Sequence, residues 1–362
     1  MSYCEICKIR NSKTKLHKIK IDLPNFSHSK YELINKNSLF AICKSCNLIK
    51  IKKNKNNGKF LNFLKTKKYI STNQSDQIKS FGKINFRTRE ILQYNYFKKF
   101  IKKKDFNLLD IGCFNGKLVK VIKKDYPKSN IVAYDTNKYL KKFFLGKKIN
   151  FNNKLNFKRK FDYIIISHSL QYIPEIQKFI IKIRKMIKKS TIIFIQLPDL
   201  EKNIYNLLYS DQYYLLSKNF LINFANKFGF KIINIEKDYF LNEILLIMKP
   251  EIKIPPKKII NKGFKLIQNL KKLKKIKKKL VGLKGKFYIF GTTINSVFVN
   301  HYIKEKNLGF VDESNSKNIF MNKKVILPKN LKKDQKLIFT YKTNKILIKK
   351  LKKRFKKNLI LI

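Results

Sequence analysis

Arginine is almost missing from this chain. Six residues (Arg10, Arg87, Arg89, Arg159, Arg184 and Arg354) stand among 84 lysines and arginines. Base-edge and bidentate phosphate recognition favour the guanidinium group, so a nucleic-acid interface is not implied by the formal charge of +62. The lysines are spread along the whole length and accompany an excess of Ile, Asn, Phe and Tyr, as an A/T-rich coding sequence would produce. Such a field still favours small anionic substrates. Long apolar runs are also missing: none approaches the ~18 residues of a membrane span. No secretion signal opens the sequence, which predicts a cytoplasmic protein. Cysteine is scarce, with five in 362 residues.

Four of those five form the most specific motif. Cys4-Glu-Ile-Cys7 and Cys43-Lys-Ser-Cys46 are two C-x-x-C pairs, 35 residues apart. Four thiolates so arranged can close a tetrahedral shell around one structural zinc. Disulfides are the competing reading, and the expected cytoplasmic location counts against them. His17 and His28 lie in the spacer and read as surface or core residues rather than ligands. Residues 51–70, rich in Lys and Asn, read as a linker or a solvated extension of this module.

The centre of the chain alternates strand and helix. Apolar spacing predicts a helix from about Arg87 to Lys103, then strands at 107–111, 130–134, 162–166 and 191–196. Helices are expected at 116–124, 137–144, 175–187 and 216–228, and two more strands at 230–236 and 243–248. This alternation implies an α/β fold, a mostly parallel sheet covered on both faces, with ligands at the carboxyl ends of the strands. The first strand runs into Asp110-x-Gly112-Cys-Phe-Asn-Gly116, and the second ends at Asp135. A carboxylate before the first glycine is unwelcome beside a pyrophosphate but suits an ammonium and a sulfonium, as in S-adenosylmethionine (SAM). Asp135 can accept from both ribose hydroxyls. Cys113, within the loop, is counted with the cofactor positions, although a small packing thiol is the simpler role.

Further along, Pro255-Pro256 and the run Lys265–Lys279 divide the chain. Leu266, Leu270, Leu273, Ile276 and Leu280 recur there at helical spacing, as in a connecting helix packed between domains or a basic amphipathic helix. The alternation then restarts: Phe287-Tyr-Ile-Phe290 as a strand, Gly291-Thr-Thr293 as a turn, Asn295–Ile303 as a helix and Leu308-Gly-Phe-Val311 as a strand before Asp312. With one glycine at its turn, this reads as a smaller Rossmann-like domain without a second cofactor. The domains expected are 1–70, 71–250, a linker helix at 251–285, and 286–362.

These motifs together resemble the class I SAM-dependent methyltransferases. Phe161-Asp-Tyr-Ile-Ile-Ile-Ser-His168 with Leu170-Gln-Tyr-Ile-Pro-Glu175 looks like that superfamily's fourth strand and turn, and Ile195-Gln-Leu-Pro198 like the end of its fifth. The three-module order resembles the zinc-binding C-methyltransferases of nucleotide-linked ketosugars. Their zinc part ends in a pattern like L-x-x-C-x-x-C-G-L-V-Q, to which Leu39-Phe-Ala-Ile-Cys-Lys-Ser-Cys-Asn-Leu-Ile-Lys50 is similar. Phe290-Gly-Thr292 and Asp312-Glu-Ser-Asn-Ser-Lys317 stand where that family has Y-G-A and D-D-x-x-x-K.

The resemblance implies structural zinc on Cys4, Cys7, Cys43 and Cys46, and SAM held by Asp110, Gly112, Cys113, Gly116, Asp135, Ser167 and His168. It implies methyl transfer to a small acceptor, an anionic sugar nucleotide, by a monomer. RNA methylation, or a homologue that binds SAM without turnover, are the alternatives. The family's acceptor segment, like Y-x-E-H-x-x-Y-F-S, corresponds to Tyr209-Ser-Asp-Gln212-Tyr-Tyr-Leu-Leu-Ser217. Tyr209, Asp211, Gln212 and His168 are therefore the catalytic candidates. Gln212 replaces a histidine, and Tyr172 a second one. An amide cannot act as a base near neutral pH. Tyr209, Asp211, Tyr213 and Tyr214 are expected to line the acceptor pocket.

Overall fold

A computed structural model describes residues 4–7, 16–27, 31–52, 55–72, 89–240, 242–251, 266–313, 318–340 and 345–362. His28, Arg87, Pro255, Pro256, Lys265 and Lys317, singled out above, lie outside them.

The central body is a seven-stranded sheet. Its strands are β1 (Asn107–Ile111), β2 (Asn130–Tyr134), β3 (Asn150–Asn152), β4 (Phe161–Ser167), β5 (Ile187–Pro198), β6 (Phe230–Glu236) and β7 (Glu243–Pro250). They lie in the order β6-β7-β5-β4-β1-β2-β3. The β1, β2, β3, β4 and β5 ladders are parallel, whereas β7 runs antiparallel between β5 and β6. Leu108, Leu109, Ile164, Ile165 and Ile166 are buried on both faces, as parallel strands under two helical layers must be. Chain order reverses between β1 and β4, and the carboxyl ends at that reversal are where an α/β sheet leaves its crevice.

Helices α1 (Arg89–Lys98), α2 (Lys117–Asp125), α3 (Ile176–Arg184) and α4 (Lys218–Lys227) cover the sheet. On α2, Leu118, Val119 and Ile122 face inward and the lysines outward, which is why a lysine-rich segment still folds there. Two expectations need correction. The helix at 137–144 is a 3₁₀ turn, Lys138–Phe143, and the short β3 follows it. The stretch read as linker forms two short helices, Lys55–Phe63 and Lys67–Thr72. Asn137 Nδ2 donates to the carbonyls of Leu64 and Thr66, at 3.0 and 3.1 Å, and fastens the end of the first helix and the turn after it to the central domain. That partner is a buried asparagine on another element, which local composition could not show.

The N-terminal module has strands His17–Ile21, Ser38–Ile42 and Ile49–Ile51, and its fourth strand is Tyr214–Leu215 from the central domain. The C-terminal domain is a second, smaller sheet in which Phe287–Phe290, Asn307–Val311, Lys323–Ile326, Leu337–Phe339 and Leu359–Leu361 are parallel. Helices α5 (Leu266–Val281) and α6 (Ile294–Ile303) pack on it. A single apolar cluster runs from Phe26 and Phe40 through Tyr205 and Leu208 to Leu273 and Phe298, so all three parts share core. Among the described residues no helix is long and apolar enough to cross a membrane.

Candidate functional site

The carboxyl ends of β1, β4 and β5 and the amino end of β7 open into a cleft of about 1260 Å³, whose other walls come from the N-terminal module and the C-terminal domain. Asp110, Gly112, Cys113 and Phe114 line one end. The loop is built by backbone demands: Gly112 and Gly116 have φ of 78° and 69°. A Cβ on Gly112 would stand 2.4 Å from Ser169 Cβ, and one on Gly116 2.3 Å from the Phe144 ring. No L side chain fits either place.

Asp135 steadies this loop from the neighbouring strand, its Oδ2 accepting from Phe114 N at 3.3 Å and its Oδ1 from Asn137 N at 2.9 Å. Burial, with Asp135 adding to it, pushes the Asp110 carboxyl up to about 7. Burial also raises Asp135, against three backbone N–H groups that lower it. In a chain with 84 basic residues, no lysine or arginine among the described residues neutralises either acid. Asp110 is buried and lines the cleft, Asp135 stands half-buried behind the loop, and together they form a donor set that fits a positively charged ligand carrying hydroxyls. The Cys113 thiol is buried beside them and held protonated by burial first, then by Asp110 and Asp135.

A polar network crosses the strand ends next to this loop. Glu243, at the start of β7, accepts from Arg89 at 2.8 Å and from the Gln196 amide, and faces His168 Nε2 at 3.1 Å. Gln93 Nε2 donates to Ser167 Oγ and to Gln196 Oε1, at 2.7 and 2.6 Å. The turn that carries His168 is tied to the glycine loop by Ser169 Oγ, which donates to the Ile111 carbonyl at 2.6 Å. Glu243, Arg89 and Gln93 escaped the sequence reading. The one signal available was Gln196, a polar side chain that ends the apolar run Ile192–Ile195.

The acceptor segment forms the wall opposite. Tyr209, Gln212 and Tyr214 line the cleft, and so do Tyr31, Tyr69 and Tyr172. Asp211 is fully buried and Tyr213 is not among the lining residues. Burial raises the Tyr209 phenol well above its usual range, with Tyr31, Tyr172 and Asp211 adding to it, and Tyr172 is raised by burial and Asp211. Both phenols therefore stay protonated at neutral pH and can donate hydrogen bonds. The segment is held by the N-terminal module: Ser210 N donates to Phe26 O at 3.1 Å, Leu215 pairs with Ile49, and Tyr214 OH donates to Glu5 at 2.6 Å.

Glu5 stands beside the cysteine cluster. The sulfurs of Cys4, Cys7, Cys43 and Cys46 are all buried and lie within 4.8 Å of one another. Cys4 Sγ is 3.5 Å from Cys46 Sγ, and Cys7 Sγ 3.6 Å from Cys43 Sγ. Tetrahedral sulfurs around a metal at ~2.3 Å would be ~3.8 Å apart, so the donor set fits a zinc ion. His17 is exposed on its strand and lies outside this group. In the C-terminal domain the expected turn is present, with Gly291 at φ 90° and Thr292 Oγ1 donating to Asp312 at 2.9 Å.

Residues 79–235 match a family model described as a methyltransferase domain. This stretch contains the glycine loop, the His168 turn and the acceptor segment. Among solved structures, the chain is similar to an S-adenosylmethionine-dependent methyltransferase from Clostridium acetobutylicum ATCC 824. Identity there is 15%, with a TM-score of 0.37, over 45% of this chain and 90% of that one. It is also similar to a protein from Pyrococcus horikoshii OT3, at 17% identity and a TM-score of 0.40, over 51% of this chain and all of that one. A comparison with curated proteins finds no match.

Proposed function

We propose that this chain, a SAM-dependent methyltransferase, transfers the methyl group to a nucleotide-linked ketosugar or a closely related glycan precursor. The observation that carries the reading is the three-walled cleft, in which the glycine loop faces the tyrosine wall and the C-terminal domain closes the third side. Its lining includes only two lysines, Lys117 and Lys304, and Arg89 is engaged by Glu243. Such a cleft suits one small acceptor with a modest anionic part better than an RNA backbone.

Asp110 and Asp135 would hold SAM, the first receiving its ammonium and the second its ribose hydroxyls. When bound, SAM supplies an electrophilic methyl group and its sulfur leaves as a neutral thioether. The chain must do the rest. It has to bring the acceptor's carbon into line, take its proton, and stabilise the enolate that remains. The Tyr209 phenol, kept protonated, is suited to donate a hydrogen bond to that enolate oxygen. Cys4, Cys7, Cys43 and Cys46 would hold one zinc whose role is structural. These cysteines, so held, would brace the strand that carries Tyr214 and Leu215, and so the acceptor wall.

The test is direct. Purified chain, SAM and a panel of nucleotide-linked ketosugars are incubated, and the sugars are weighed by mass spectrometry. Gain of one methyl group on a ketosugar supports the reading. Methylation of RNA alone, at physiological salt, would replace it.

A further inference from the structure

Resting on that acceptor reading, we infer that His168 is the base that takes the acceptor's proton, and that Glu243 is the positioning residue that fixes its tautomer. The need for such a group follows from the cleft itself. On the acceptor wall, Gln212 is an amide, Tyr209 and Tyr172 are phenols, and Asp211 lies fully buried outside the lining. The other imidazole at the cleft, His301, belongs to the C-terminal domain and packs edge-on against Phe26 and Tyr302. Among the described residues no carboxylate orients it.

His168 has what His301 lacks. It directly follows β4 and lines the cleft, one strand away from Asp110. Its backbone sits at φ 51°, a conformation that a non-glycine residue keeps only when its surroundings hold it there. They do so here: His168 N donates to the Gln196 carbonyl at 2.9 Å, and the next residue is tied to Ile111. The carboxylate facing the ring is fixed in its turn by Arg89 on α1 and Gln196 on β5. A carboxylate can only accept, so Nε2 carries the ring proton and Nδ1 is the basic nitrogen.

The proton step then balances simply. The hydrogen on the carbon beside the ketone passes to Nδ1 as a proton. The electron pair of the broken C–H bond remains on the acceptor as an enolate. Glu243 faces the imidazolium that forms and stabilises it, while the Tyr209 phenol lines the same cleft as a donor.

Proton abstraction can be followed without methyl transfer. Full-length protein is mixed with S-adenosylhomocysteine and a nucleotide-linked ketosugar in deuterium oxide, and deuterium entering beside the ketone is read by NMR. The wild-type chain should exchange it. His168→Gln should slow exchange about 100-fold or more, in keeping with a lost general base. Glu243→Gln should slow it about 10-fold or more, and Glu243→Asp should recover part of the loss, since a shorter carboxylate can still set the tautomer. In parallel, nitrogen NMR of the ligand-free protein should show the His168 ring protonated at Nε2. Exchange at the wild-type rate in folded His168→Gln, or a ring protonated at Nδ1, overturns the inference. If no ketosugar exchanges while the ring is protonated at Nε2, the acceptor class fails and the orientation by Glu243 stands.

Discussion

Glu243 Oε2 lies 3.1 Å from Nε2 of His168, joining two residues 75 positions apart across the carboxyl edge of the central sheet. The pair exists because β7 inserts between β5 and β6 and starts at the same edge where β4 ends. Arg89 is the third member, and its loss would remove a charge-assisted hydrogen bond from the carboxylate. Arg89→Met should lower unfolding free energy by about 1–3 kcal/mol, the usual cost of a charge-assisted hydrogen bond with a buried partner left behind. Urea denaturation of the ligand-free protein measures it, and an unchanged midpoint would remove Arg89 from the network.

With Asp110 as the proposed partner of the SAM ammonium, SAM affinity should depend on pH. Its carboxyl is pushed up to about 7 by burial and Asp135. Ionised Asp110 can receive an ammonium and protonated Asp110 cannot, so binding should strengthen several-fold between about pH 6 and about pH 8. Below that pKa, binding should release a proton. The sign for folding is the reverse. The unfolded carboxyl ionises near ~3.9 and the folded one near 7, so this group's contribution to stability falls as pH rises between them. Bound SAM should cancel that loss, and the thermal upshift it causes should be larger at about pH 8 than at about pH 6. Calorimetry and thermal scans read both effects. Equal upshifts would place the cation elsewhere.

Asp135→Ala should abolish stabilisation by SAM. The same change removes the acceptor for Phe114 N and Asn137 N, so the loop itself loosens. A variant stabilised as much as the wild type would move the adenosine site away from β2.

Zinc should be present at one ion per chain by metal analysis. Removing it with a chelator should raise hydrogen exchange at Tyr214 and Leu215, the strand that pairs with Lys50 and Ile49. Metal-free protein with full protection of those amides would mean that the cysteines do not brace the acceptor wall.

Asp162 sets a separate pH limit. Burial works against its charge, but Asn107 N and the ammonium groups of Lys103 and Lys188 bring its carboxyl down to about 2. Its stabilising effect is present above the unfolded value of ~3.9 and is lost as pH falls through about 2. Asp162→Asn should cost about 1–3 kcal/mol at neutral pH and nearly nothing near pH 2.

The parallel core was legible because its strands are unbroken apolar runs and its helices carry lysine on one face only. Leu108–Leu109 and Ile164–Ile166 announce burial on both sides, and Gly112 and Gly116 announce a tight loop. The C-x-x-C pairs brought four sulfurs together as their spacing implied. What stayed hidden depends on partners distant in sequence. Nothing near Glu243 points to His168, and nothing near Tyr214 says that it completes the sheet of another module. The segment at 55–72 is helical although its composition suggests solvated chain, with Asn137 fastening the turn between its two helices.

The central claim is methyl transfer to a nucleotide-linked ketosugar, and product mass tests it most directly. Incubation of the zinc-loaded chain with isotope-labelled SAM should put one labelled methyl group on carbon next to the ketone, with S-adenosylhomocysteine formed in equal amount. Protein that binds SAM with a clear thermal upshift, yet leaves every ketosugar of the panel at its original mass, would contradict it.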